Sequence, residues 1–129
     1  MEIFRILVNV TETHQVCSQG GCVNMLLFDG TCEGEYFQGR ILSGGVDTQM
    51  VNPEGRGTLS ARYMLEGIDK EGNPCKVFIQ NDAEIGTEDS TTHPQIFTDS
   101  ECLKWLEQET LTGRILWEQE QLIISIGIK

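Results

Sequence analysis

Short strand-like runs, several of which place apolar residues at every second position, are separated by turn-forming residues every 8 to 15 residues. Such alternation puts every second side chain on one face of a strand, so the chain reads as a series of short strands. The first run is 2–10, with Phe4, Ile6, Val8 and Val10 on one face. A loop is expected over 11–21, then a second run over 22–28 that ends at Asp29-Gly30, a pair that tolerates positive φ and favours a hairpin turn. The third run, 32–42, contains Gly34 and Gly39, and glycines inside a strand mark bulges, coiling or the close approach of another backbone. Gly44-Gly45 leads into a fourth run, 46–51, and the stretch NPEGRG makes the next turn, with Pro53 presetting φ.

The fifth run, 58–66, alternates most cleanly, with Leu59, Ala61, Tyr63 and Leu65 opposite Thr58, Ser60, Arg62, Met64 and Glu66. After the DKEGN turn a sixth run covers 75–81, and residues 82–95 read as a long polar loop. Thr98 and Glu101 have the spacing of a capping box, which predicts a short helix near 99–108 with Cys102, Leu103 and Leu106 on its apolar face. Runs at 111–118 and 121–128 form a terminal hairpin in which Leu122, Ile124, Ile126 and Ile128 share a face. Seven or eight strands with short connections and one late helix predict a mainly β fold, a meandering antiparallel barrel over residues 1–129 as a single domain. A two-sheet β-sandwich is the alternative.

Composition narrows the function classes. Twenty acidic residues against nine basic ones give a formal charge of −11, without a Lys/Arg cluster. That surface repels phosphate backbones and anionic headgroups, so neither nucleic acid nor membrane is an expected partner. The amino terminus lacks the pattern of a signal peptide, and five cysteines, an odd number, show no framework spacing, so reduced thiols in a cytoplasmic protein are expected. His14, Cys17 and Cys22, with Cys32 as a fourth candidate, have no paired short spacings of the structural-zinc kind, so neither a metal nor another cofactor is expected. There is no G-x-S-x-G elbow, P-loop or dinucleotide fingerprint, and His93 has no partner near it in sequence.

Three stretches, FDGTCEGEYFQGRILSGGVD, GTLSARYMLEGIDKEGNPCKVFIQN and FTDSECLKWLEQETLTGRI, together resemble an uncharacterised bacterial family of unknown function. The shared pattern is spaced glycines, a G-G-x-D turn, an R-Y strand, a D-x-x-G turn and a late W-L helix before two strands. The resemblance implies a small lipocalin-like barrel, often a homo-oligomer, without an established activity. Its matching positions here are Gly44, Gly45, Asp47, Arg62, Tyr63 and Asn81. Two positions depart from the pattern: Thr48 stands where the family commonly has Trp, and the segment GGCVN lacks the family's arginine.

The candidate site residues are therefore Asp47, Arg62, Tyr63 and Asn81. An inward Arg62 would clamp an anionic group, with Asp47 as its partner or as a general base taking a proton from the held ligand. Each residue also has a plain structural role: Arg62 in solvent, Asp47 tying down a turn, Tyr63 as a core aromatic, Asn81 ending a strand. The leading expectation is a barrel that binds a small organic ligand, anionic if Arg62 faces inward, in its interior or mouth. The competing expectation is a structural or oligomeric interaction protein whose barrel is filled by its own side chains.

Overall fold

The computed structural model describes residues 1–129. Nine strands follow in order: β1 (Glu2–Ser18), β2 (Gly21–Glu33), β3 (Phe37–Ile41), β4 (Val46–Val51), β5 (Gly57–Asp69), β6 (Pro74–Ile85), β7 (Thr91–Thr98), β8 (Leu111–Glu118) and β9 (Gln121–Ile128). Each is antiparallel to its neighbours, and β1 pairs with both β2 and β9, which closes the sheet into a barrel. β3 and β4 both pair with β2 on one side and β5 on the other, so they form one interrupted stave and the barrel has eight. Closure removes the sheet edges a sandwich would leave open.

The interruption is the Gly44-Gly45 corner. Hydrogen bonds continue across it, from Leu42 N–H to the Met64 carbonyl at 2.8 Å and from Phe28 N–H to the Gly45 carbonyl at 3.0 Å. Gly44 has φ +109° and open space around it, so its requirement is conformational. Gly45 has ordinary φ, but an added Cβ would lie 3.0 Å from the Phe28 carbonyl oxygen and 3.3 Å from the Phe28 ring. Its requirement is room for Phe28.

Runs 46–51, 111–118 and 121–128 coincide with β4, β8 and β9. Elsewhere the structure corrects the sequence reading. The expected loop 11–21 is paired strand, from Glu12 opposite Leu27 to Ser18 opposite Gly21, with a two-residue turn at Gln19-Gly20. Both faces of this arm are in solvent on the β1 side, so nothing selects for alternation there. Cys17 and Cys22 face each other near its tip and form a disulfide, which overturns the expectation of five reduced thiols. Asp29 and Gly30 are not a turn; they pair with Asn9 and Val8 inside β2.

The expected loop 82–95 is largely strand too, since β6 runs to Ile85 and β7 starts at Thr91. Pro94 is tolerated in β7 because β7 pairs with β8 only at Thr91 and Thr92, so no ladder partner awaits its missing N–H.

No α-helix forms at 99–108. A 3-10 helix spans Lys104–Gln108, and Leu103 and Leu106, three residues apart, both turn inward, as three residues per turn requires. The capping box does not form either. Thr98 N–H donates to Glu107 at 2.8 Å, while Glu101 pairs with Lys104 on the surface. This segment closes one end of the barrel. There Leu103 and Leu106 join Phe4, Phe37, Leu65, Val77 and Ile126, all at most 1% exposed. Phe4 and Phe37 meet edge to face at 6.2 Å. No helix is long and apolar enough to cross a membrane.

Candidate functional site

The other half of the barrel is not filled. A cavity of about 260 Å³ is walled by Val8, Leu26, Phe28, Leu59, Ala61, Leu122 and Ile124 among others, with Val10 and Trp117 at its exposed rim. That volume is close to the lower end, roughly 300 Å³, of typical ligand cavities. Trp117, 68% exposed, leaves a broad apolar face at the opening.

Strand register explains which polar groups reach the interior. Leu26 pairs with Asp47, Asp47 with Ala61, Ala61 with Asn81 and Asn81 with Pro94, so these residues form one rung along the inner wall. Ala61, the smallest side chain of that rung, leaves a notch between Asp47 and Asn81. Tyr63 is two residues along β5 from Ala61 and so is a diagonal neighbour of both, roughly 7–8 Å away across each strand pair. Its ring meets Phe28 edge to face at 5.2 Å, in the space left by Gly45. Thr92, opposite Gly113, supplies a hydroxyl from β7. A methyl at Gly113 would collide with that hydroxyl and lie 3.4 Å from Asn81 Nδ2, so Gly113 holds the space these two groups use.

The hydrogen bonding of this wall is incomplete. Asp47 Oδ2 accepts from Gln49 Nε2 at 3.0 Å, but Oδ1 has no partner. Tyr63 Oη, Asn81 Oδ1 and Thr92 Oγ1 also lack partners, and these three residues are only 5%, 4% and 1% exposed. Buried polar atoms are nearly always paired, so four unpaired oxygens in the wall of one cavity are unusual. Burial raises the Asp47 pKa above the usual aspartate value, opposed by the Gln49 hydrogen bond. Burial, reinforced by Cys32, also pushes the Tyr63 hydroxyl upward, so it stays a protonated donor.

Three of the four candidates, Asp47, Tyr63 and Asn81, are thus brought together, and Arg62 is not. It pairs with Val46 and Gln80 on the outer face and is exposed in a polar groove with Ser60, Asp82 and His93. An anion clamp formed by Arg62 and Asp47 is therefore absent, and no Lys, Arg or His lines the cavity. Gln49, Thr92, Phe28 and Trp117 also line the cavity, without having been expected there. Gln49 was open to discovery, since it lies two residues from Asp47 and a period of two puts both on one face. Thr92 was hidden in the segment read as loop.

The zinc candidates do not assemble. Cys17 and Cys22 are joined to each other, His14 lies 3.5 Å from Glu12, and Cys32 is buried in the core. No group of three or more metal-ligating side chains forms.

Sequence and structure comparisons agree with this architecture. A UPF0311 protein of Clostridium acetobutylicum is 44% identical over 55 residues, an alignment covering 43% of this chain and 32% of that relative's length. A crystal structure of a protein of unknown function from the same organism aligns at TM-score 0.80 with 23% identity, covering 98% of this chain and 95% of that one. An enzyme from Penicillium herquei aligns at TM-score 0.70 with 16% identity, covering 98% and 92%, a likeness of fold alone. The model of DUF3237, a family of proteins of unknown function, matches residues 2–83, and the chain belongs to that family.

Proposed function

We propose that the open half of the barrel binds a small, predominantly apolar molecule carrying uncharged hydrogen-bonding groups. The observation that carries this reading is the set of four unpartnered oxygens, on Asp47, Tyr63, Asn81 and Thr92, in the wall of one apolar cavity. Apolar walls supply the binding energy through the area they remove from water, and a few placed polar groups fix orientation. An anionic ligand is disfavoured, because the cavity holds a carboxylate and no compensating cation. A purely structural barrel is also disfavoured, since such a barrel has no reason to leave these oxygens unpaired.

Native mass spectrometry of the protein taken directly from cells tests the reading. A retained small-molecule adduct is expected in the wild type and its loss in Ala61→Phe, which fills the notch between Asp47 and Asn81. A folded wild type that carries no adduct and binds no aromatic alcohol such as a naphthol would overturn it.

A further inference from the structure

We infer that Asp47 and Tyr63 form an acid–base pair that moves a proton on an enolisable ketone, shifting a β,γ-unsaturated ketone to its conjugated isomer. This inference rests on the reading of the cavity as a ligand site. Three features of the wall support it. First, Asp47 lines the cavity, and Gln49 holds one of its carboxylate oxygens while Oδ1 has no partner in the protein, which leaves it available as a general base. Second, Tyr63 presents an O–H with no protein acceptor, one diagonal step from Asp47 across β4 and β5. A ketone lying between them has its acidic C–H near the carboxylate and its oxygen near the hydroxyl. Third, the walls are largely apolar and carry no positive charge, which suits a neutral ketone better than an anion.

The step balances without any co-reactant. Asp47 Oδ1 takes the proton from the carbon between the carbonyl and the alkene, and the C–H electron pair moves onto the carbonyl oxygen as a dienolate. Tyr63 donates a hydrogen bond to that oxygen as its charge develops, an oxyanion-hole role. The protonated Asp47 then returns its proton to the γ-carbon, giving the conjugated ketone and the original carboxylate. Burial favours both roles: it makes Asp47 a stronger base than a solvent-exposed aspartate and keeps Tyr63 protonated. Asn81 and Thr92 are positioned for the rest of the ligand, and Gly113 keeps their space clear.

The test uses a β,γ-unsaturated cyclohexenone as substrate and a naphthol as a mimic of the dienolate. The absorbance of the conjugated product and deuterium uptake from D₂O report proton transfer; naphthol fluorescence reports binding. The wild type is expected to accelerate both reactions over buffer. Asp47→Asn should lower the rate by about 10²–10⁴-fold while still binding naphthol. Tyr63→Phe should lower it by about 10²–10³-fold and weaken naphthol binding, and it serves alone if Asp47→Asn does not fold. A wild type that binds naphthol but converts no ketone refutes the inference and leaves the binding reading standing. Equal rates in the wild type and both variants also refute it, and absence of both binding and turnover removes both readings.

Discussion

The two halves of the barrel are made from the same strands, yet one is finished and the other is not. At the closed end, Phe4, Phe37, Leu65, Val77, Leu103, Leu106 and Ile126 fill the interior, and the buried acid there has its bonds complete. Asp69 Oδ1 accepts from the Glu71 and Asn73 N–H groups at 3.0 Å each, and Oδ2 accepts from the Ser100 hydroxyl at 2.7 Å. At the open end, the same staves line a cavity where Asp47, Tyr63, Asn81 and Thr92 each leave an oxygen unpaired. An unmatched buried polar atom costs about 1–3 kcal/mol, so the open end forgoes stability that the closed end keeps. The difference separates a fully packed and paired region from the region proposed to bind a ligand, within one core.

The largest effect that sharpens this division is expected at the closed end. Phe4→Ala should cost about 3–5 kcal/mol in chemical denaturation, because it opens a void among fully buried neighbours. Trp117→Ala, at the exposed rim, should change stability little and weaken naphthol binding instead. If the two variants behaved alike in stability, the division would be wrong.

Smaller effects are expected at the corner between β3 and β4. Gly44→Ala and Gly45→Ala should each cost about 1–3 kcal/mol, the first by backbone strain and the second by crowding. Only Gly45→Ala should alter ligand affinity, since its methyl displaces the Phe28 ring that packs on Tyr63. Equal affinity in the two variants would detach the corner from the site.

Tyr63→Phe should be nearly neutral or slightly stabilising, because it deletes a buried hydroxyl that has no partner in the free protein. A loss of more than about 1.5 kcal/mol, the usual worth of a made hydrogen bond, would show that the hydroxyl is bonded and the site less open than described.

These residues also show what the sequence could and could not reveal. Strands with one face on the core were legible, as in β5 and β6, because burial of one side enforces alternation. The β1 arm was not, because residues exposed on both sides carry no such pattern and pairing alone makes them strand. The start of β7 was not, because its inward positions are Thr92 and Pro94, which do not read as apolar. The 99–108 segment has helix-forming residues, but where it bridges β7 to β8 it forms only a five-residue 3-10 helix. Arg62 is the most instructive error. It adjoins Tyr63 in a regular strand, so the two side chains face opposite sides, and an inward Tyr63 forces Arg62 outward. Three of the matched positions, Asp47, Tyr63 and Asn81, share one cavity wall, and the strand period held the information that sets Arg62 apart from them.

The finest contrast lies between buried Asp69 and half-buried Asp47, whose pKa values move in opposite directions. The Ser100 hydroxyl, with the Asn73 and Glu71 N–H groups, holds the Asp69 carboxyl below its ordinary value against the opposing effect of burial. Asp69 therefore contributes stability that is present above an unfolded pKa near 3.9 and lost as pH falls towards its native value. Asp47 is the reverse: burial raises its native pKa, so its contribution is fully favourable below the unfolded pKa and is lost as pH rises through the native one. At neutral pH, Asp69→Asn should thus be less stable than the wild type, and Asp47→Asn equally or more stable. Acidification should shrink both differences, from opposite signs towards zero, as the carboxyl groups take up protons and come to resemble their amide replacements. Denaturation midpoints measured from neutral pH into acid would trace both curves. An Asp47→Asn variant less stable than the wild type at neutral pH would mean that the carboxylate is satisfied within the fold, which would remove the reason to regard the open end as a site awaiting a ligand.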